Sequence, residues 1–158
     1  VVARDALSLG PDGYGALMAA LGLGAVTGAL VTAVVGGSAA RGRMFRAASF
    51  GFAGLLLLFA LVRVPLLNGL LLYAVGAAMM INNVHVNARL QELVPDSLRG
   101  RVLSLYVMVY VGGSPIGSFV GGWVARRAGV EWAIGGGAVL MLVFATWAFR
   151  RHPGLARD

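Results

Sequence analysis

Residues 64–88 read VPLLNGLLLYAVGAAMMINNVHVNA and contain no charged side chain. A helix that crosses a bilayer needs about 20 mainly apolar residues, and this stretch exceeds that length. Pro65 suits the first turn of a helix, where its missing N–H costs no hydrogen bond. The stretch therefore predicts a transmembrane helix at 65–88. The three asparagines and one histidine near its end need a separate explanation.

Four more uncharged runs flank this stretch, at 13–40, 47–62, 102–125 and 132–149. The second is short for a membrane span unless snorkelling arginines at its ends extend it. Because the runs are apolar on all faces, they argue against a soluble helical core. The pattern predicts an all-α polytopic membrane protein. Its expected segments are helices at about 13–37, 45–62, 65–88, 100–124 and 131–149, cytoplasmic loops at 38–44 and 89–99, and a tail at 150–158.

Composition agrees with a membrane protein and argues against several functions. Hydrophobic residues make up 59% of the 158 residues and charged residues 12%, whereas a soluble domain carries about 25% charged residues. There is no Cys, and His85 and His152 are the only histidines, so neither a metal site nor a cofactor is predicted. The sequence contains no catalytic motif, and an enzyme is not expected.

The 13 basic residues are all arginine. They stand at the ends of the apolar runs rather than on one polar face, which argues against nucleic acid as a partner. Nine fall on one side of the predicted membrane and four on the other. The positive-inside rule predicts that the side with nine arginines, which includes the C-terminus, faces the cytoplasm. The expected location is the inner membrane of the cell. The nine are Arg41, Arg43, Arg46, Arg89, Arg99, Arg101, Arg150, Arg151 and Arg157.

An internal repeat relates two parts of the chain. VGGSAAR at 35–41 matches VGGWVAR at 120–126 with an offset of 85, and the same offset aligns Gly28 with Gly113 and Ala53 with Ala138. Helices one and two then correspond to helices four and five. A unit of three helices reverses its direction in the membrane, so the repeat is expected to be inverted. The partner of the third helix would lie before Val1, and the chain is expected to be a fragment truncated at its N-terminus.

The sequence resembles the C-terminal half of a major facilitator superfamily transporter, about helices 8–12. ARDALSLGPDGYGALMAALGLGAVTGAL at 3–30 and NARLQELVPDSLRGRVLSL at 87–105 are similar to bacterial drug and siderophore exporters of the subgroup that contains the enterobactin exporter. The resemblance implies transport by alternating access, in which this half rocks against an N-terminal half around a central cavity. It also implies that the helix at 65–88 lines that cavity.

Two cytoplasmic segments are candidates for gating. In GGSAARGRMFR at 36–46 the superfamily's loop pattern lacks its acidic residue, because Ala39 and Ala40 occupy that position. In PDSLRGR at 95–101, arginines in the first turns of a helix oppose its dipole and call for anionic partners. The alternative for both segments is simple anchoring at the membrane surface. The candidates are Gly37, Arg41, Gly42, Arg43, Pro95, Asp96, Arg99, Gly100 and Arg101.

Small residues four apart predict close helix packing. Gly24 and Gly28 form one such face, and Gly113, Gly117 and Gly121 form another. Pro115 interrupts a backbone hydrogen bond of the second helix and is expected to kink it. The functional alternative is a sliding seam for the rocking motion.

The polar cluster of the third helix is the candidate substrate path. Asn82, Asn83, His85 and Asn87 lie on adjoining flanks of one helix, and polar side chains within a membrane face the bundle or water. The alternative is hydrogen bonding between helices. No Asp or Glu lies in the uncharged runs, so a proton-carrying carboxylate is expected elsewhere.

The sequence thus predicts an exporter of small amphipathic molecules, a drug or a siderophore. Its expected partners are the lipid bilayer, the small-molecule substrate and the missing N-terminal half. Two alternatives stay open: a membrane scaffold or assembly subunit that transports nothing, and a lipid flippase on the same fold.

Overall fold

The computed structural model describes residues 11–35 and 38–152 of the chain. Those residues form helices and short connections and contain no strand. All five helices are long and apolar enough to cross a membrane. The prediction of an all-α polytopic membrane fold is confirmed. The helices are α1 (Pro11–Val34), α2 (Ser38–Leu61), α3 (Pro65–Leu93), α4 (Asp96–Ala128) and α5 (Val130–Arg151).

Most of the helices extend beyond the bounds expected from the sequence, although α1 ends at Val34, short of the expected 37. The described part of the expected loop at 38–44 belongs to α2, and the expected loop at 89–99 contracts to Val94 and Pro95. The expected helix ends lie near the first charged residues on either side of each apolar run. A helix outside the hydrocarbon continues wherever its backbone hydrogen bonds continue, and Pro95, which has no N–H, marks the real break. At the other end of the chain, α5 runs to Arg151 and takes up the start of the expected tail.

A single residue joins α4 to α5. Gly129 has φ 100° and ψ 156°, a region of backbone conformation essentially restricted to glycine. Its N–H donates to the carbonyl of Ala125 at 3.1 Å, and this bond satisfies one of the last acceptors of α4. The turn is therefore as short as two antiparallel membrane helices allow, and it fixes α5 beside the end of α4.

Helix α3 is the centre of the bundle. It packs along α1 and along α2, whereas α5 packs on α2 and α4. Leu17, Phe59 and Leu72 form a buried apolar cluster shared by α1, α2 and α3. Contact between α3 and α4 is slight, and no residue of α4 is buried. The bundle is thus compact around α3 and open along α4.

Helices α1 and α3 approach each other at glycines. A Cβ atom added at Gly24 would collide with the carbonyl oxygen of Tyr73, and one at Gly28 with that of Ala77. The Tyr73 hydroxyl also donates to Thr27 Oγ1 at 2.8 Å across the same interface. The contacts pair Gly24 with Tyr73 and Gly28 with Ala77. Residue numbers therefore increase in the same direction along both helices, so α1 and α3 are parallel.

Ion pairs at the two ends of the bundle show the directions of the other helices. Arg41 near the start of α2 lies 3.7 Å from Glu92 near the end of α3. Arg63, between α2 and α3, lies 2.5 Å from Glu131 in the first turn of α5. Successive helices therefore alternate in direction, and α1 and α4, which the repeat relates, cross in opposite senses as an inverted repeat requires. We call the end that holds Arg41, Arg89, Arg99, Arg101 and Arg150 the arginine-rich end.

Candidate functional site

The polar cluster of α3 divides into two groups that face different neighbours. Asn82 faces α2, where the Ser49 hydroxyl donates to its Oδ1 at 2.6 Å. Its Nδ2 donates to the carbonyl of Ala78 at 2.8 Å, and since a carbonyl only accepts, this bond fixes the orientation of the amide. Both ends of the Asn82 side chain are therefore used within the bundle. This contact is the hydrogen bonding between helices that the sequence left as the alternative.

His85 is buried rather than exposed to a path. Only 8% of its surface is accessible, and its ring stacks on Phe45 of α2 with centroids 5.8 Å apart. Nδ1 lies 2.8 Å from the carbonyl of Ile81 and must donate to it. Nε2 is buried and has no hydrogen-bond partner among the described residues. The ring borders a recess of about 220 Å³ that also contacts Arg89 and Leu93, so the structure separates His85 from the other candidates.

Asn83 and Asn87 form the second group. The Asn87 Nδ2 donates to the Asn83 side-chain oxygen at 3.1 Å and to the Asn83 carbonyl at 3.3 Å. The Asn83 Oδ1 is thereby engaged as an acceptor, which leaves its Nδ2 pointing away from Asn87 with no partner among the described residues. Asn83 is the one asparagine of the cluster whose Nδ2 donates to none of the described residues.

A cleft lies between α3 and α4, with walls from α2 and α5. Its volume is about 290 Å³. The cleft takes in Asn82 and Asn83 from the predicted set, but neither His85 nor Asn87 lines it. None of its lining residues carries a charge. We call it the α3–α4 cleft, and it is lined by Phe52, Met79, Asn82, Asn83, Val86, Tyr106, Tyr110 and Met141.

Sequence reasoning missed the two tyrosines of this cleft. Tyr106 and Tyr110 stack on each other with ring centroids 6.0 Å apart and planes 24° apart. Their hydroxyl groups have no hydrogen-bond partner among the described residues. The spacing of four places both rings on one face of α4. That pair, in a helix otherwise rich in Val, Leu and Gly, is the signal that could have identified them.

A larger recess of about 610 Å³ runs along α5. Residues of α5 alone line it, among them Val143, Thr146 and Trp147. With a single helix as its wall, it is a groove on the outside of the bundle, where lipid chains are the expected neighbours.

Glu92 near the end of α3 contacts the first predicted gating segment at the arginine-rich end. One carboxylate oxygen lies 3.7 Å from Arg41 and the other 3.3 Å from Arg89. Gly42 is buried and Arg43 is exposed beside this contact. Arg41 of the loop pattern thus pairs with a carboxylate from α3. Gly37 lies outside the described residues.

The start of α4 has no side-chain cap. Neither Asp96 nor Ser97 caps the helix, because the N-cap position is Pro95 and no side chain bonds there. Asp96 instead lies 2.6 Å from Arg99 one turn later, and Arg99 also donates to the carbonyl of Gln91 at 3.2 Å. The carboxylate is placed near the positive end of the helix dipole and offsets the arginine there. Gly100 and Arg101 are exposed and are not among the residues that line the α3–α4 cleft.

The second glycine face does not pack within the described part of the chain. A Cβ atom at Gly113, Gly117 or Gly121 would find nothing within 4 Å. Helix α4 continues through Pro115 as a single helix. The repeat pairs Gly28 with Gly113, yet Gly28 touches α3 while Gly113 is uncovered. Packing at Gly113 stays a prediction that needs a helix from elsewhere.

The comparisons with known proteins give one assignment. Residues 1–153 match the family described as transmembrane secretion effector, a family of the major facilitator superfamily. The chain has no match among curated proteins or among solved structures. The match covers nearly the whole chain and agrees with five membrane-length helices. The chain therefore belongs to the transmembrane secretion effector family of major facilitator transporters.

Proposed function

We propose that the chain is part of the C-terminal half of an exporter of small amphipathic molecules, such as drugs or siderophores, that works by alternating access. The observation that carries the proposal is the α3–α4 cleft. In a membrane, a recess lined by amide and phenol groups is costly unless it meets water or a ligand. Tyr106, Tyr110 and Asn83 supply such groups there, and the hydroxyls and the Asn83 Nδ2 bond to none of the described residues.

The walls of the cleft suit an amphipathic molecule. Phe52, Met79 and Met141 offer apolar and adaptable surface, and Asn83 offers one polar contact. Ligand sites usually enclose about 300–1,000 Å³, and this cleft of about 290 Å³ lies at the lower limit. The proposed N-terminal half would supply the remaining wall.

The uncovered side of α4 supports the same arrangement. Gly113, Gly117 and Gly121 present backbone that another helix can approach closely. A helix of the proposed N-terminal half would cover this face, and sliding along it would open and close the α3–α4 cleft. The shared carboxylate of Glu92 would hold the arginine-rich end together during that motion.

The proposed orientation follows from charge. Eight of the nine arginines expected at the arginine-rich end are described, and they stand at the ends of α2, α3, α4 and α5. The positive-inside rule places this end in the cytoplasm. The chain would then lie in the inner membrane with its C-terminus inside the cell.

The test is transport by the polypeptide that carries this chain, reconstituted in liposomes with cationic, neutral and anionic fluorescent amphiphiles. Asn83→Leu keeps the size of the side chain and removes its donor. A hydrogen bond worth about 1 kcal/mol corresponds to roughly fivefold in rate or affinity, so transport should fall by about that factor. Thr146→Val is the control, because its hydroxyl donates to Leu142 of its own helix at 2.7 Å and lies outside the cleft.

Equal rates for the wild type and Asn83→Leu would show that the cleft is not the substrate path. Movement of none of the amphiphiles would instead favour the scaffold, and movement of labelled phospholipid alone would favour the flippase.

A further inference from the structure

We infer that the α3–α4 cleft selects uncharged, planar aromatic ligands that carry acceptor oxygens. The inference rests on the proposed function, since it names the class of substrate for the same site. Three properties of the cleft carry it: a stacked pair of rings, a set of unused donors and the lack of charge in its lining.

The rings favour a flat ligand. Tyr106 and Tyr110 are nearly parallel, with planes 24° apart, and Tyr110 lines the cleft and is 52% exposed. An exposed ring beside a stacked neighbour is a surface on which another aromatic ring can continue the stack. Met79 and Met141 lie on the cleft wall, and thioether sulfurs make favourable contacts with aromatic edges.

The polar groups favour a ligand that accepts hydrogen bonds. Asn83 has its oxygen engaged by Asn87 at 3.1 Å, so its unused atom is the Nδ2, which only donates. Asn82, the other amide in the lining, already accepts from Ser49 and donates to the carbonyl of Ala78. The phenol hydroxyls of Tyr106 and Tyr110 donate to none of the described residues and can donate to a ligand as well. Carbonyl, ether and phenol oxygens on the ligand match this set.

The lack of charge argues against ions. None of the lining residues is acidic or basic, and the uncharged runs on α3 and α4 extend from 64 to 88 and from 102 to 125. A cation in the cleft would lose its hydration shell, and no carboxylate is there to compensate for the loss. An anion would also lose its hydration shell, and no guanidinium group is there to compensate. The faces of two tyrosines attract a cation only modestly in comparison.

The experiment measures binding of three coumarins that share one ring system. They are neutral 7-methoxycoumarin, anionic 7-methoxycoumarin-4-acetate and a cationic analogue with a trimethylammonium-methyl group at position 4. The polypeptide that carries this chain is placed in nanodiscs of zwitterionic lipid, and binding is followed by coumarin fluorescence with empty nanodiscs subtracted. The neutral compound should bind at least about tenfold more tightly than either ion.

Two cleft variants and one control test the residues. Tyr110→Leu should weaken binding of the neutral coumarin about two- to tenfold, because it removes the ring on which the ligand stacks. Asn83→Leu should weaken it about threefold or more. Phe144→Leu removes an aromatic ring from α5 that is 65% exposed and outside the cleft, and it should bind like the wild type. Far-UV circular dichroism confirms that each variant is folded.

Tighter binding of either ion, or equal losses in Tyr110→Leu and Phe144→Leu, would overturn the inference. If the neutral coumarin fails to bind while the reconstituted protein moves a charged amphiphile in an Asn83-dependent manner, the inference is wrong and the proposed function stands. If neither binding nor transport depends on Asn83, both are wrong.

Discussion

Adding one methyl group at Gly28 should push α1 away from α3. The Cβ of an alanine there would collide with the carbonyl oxygen of Ala77 and would come within 2.9 Å of its Cα atom and 3.0 Å of its carbonyl carbon. These are backbone atoms of a helix, so no side-chain rotation can relieve the collision. Inserting volume into a packed interface costs about 1–3 kcal/mol, and we expect Gly28→Ala to lower the free energy of unfolding by that amount.

The controls are glycines on the same helix and at the repeat position. A Cβ at Gly22 in α1 or at Gly113 in α4 meets nothing within 4 Å. Replacing glycine by alanine in an open helix site stabilises by roughly 0.5–1 kcal/mol, so Gly22→Ala and Gly113→Ala should be neutral or slightly stabilising in this chain.

The assay is reversible unfolding in mixed micelles of a mild detergent and sodium dodecyl sulfate, followed by far-UV circular dichroism. The quantity of interest is the difference in free energy of unfolding between Gly28→Ala and Gly22→Ala. Should the two variants unfold with the same free energy, the close approach of α1 and α3 would not exist in solution, and the packing of the bundle around α3 would have to be abandoned.

Three further experiments probe other contacts. Ser49→Ala combined with Asn82→Ala in a double-mutant cycle should give a coupling of about 0.6 kcal/mol, the average for hydrogen bonds between membrane helices, and a coupling of zero would contradict the bond. Glu92→Gln should destabilise by less than about 1 kcal/mol, because its contact with Arg41 is half-exposed and screened, and the effect should vanish in high salt. Gly129→Ala should cost about 1–3 kcal/mol in the same unfolding assay, since only glycine takes its backbone angles without strain, and an unchanged stability would refute that.

The uncharged runs were sufficient to predict the five helices, because length and apolar composition are what a bilayer demands. The helix ends were not predictable in the same way. Charge marks where a chain leaves the hydrocarbon, whereas Pro95 and Gly129 mark where it leaves the helix. The close approach of α1 and α3 at Gly24 and Gly28 was visible as a spacing of small residues.

The candidate site was only half predictable. Helical periodicity places Asn82 and Asn83 about 100° apart, but it cannot say which flank meets α2. That depends on Ser49, which lies 33 positions away along the chain and forms its bond only in the folded bundle. The spacing of Tyr106 and Tyr110 predicts that both rings lie on one face of α4. Whether that face lines a cleft depends on the distance between α4 and α3, which the sequence does not give.

The length of α4 has a consequence for the membrane itself. Its 33 residues rise about 50 Å, and even the uncharged part at 102–125 exceeds a hydrocarbon layer of about 30 Å. Such a helix fits by tilting, and α4, which packs chiefly on α5, is the helix least restrained against it. A thinner bilayer should tilt α4 further and alter the width of the α3–α4 cleft. Distances between spin labels on α3 and α4, measured in lipids of increasing chain length, would show whether lipid thickness tunes the site, and constant distances would show that it does not.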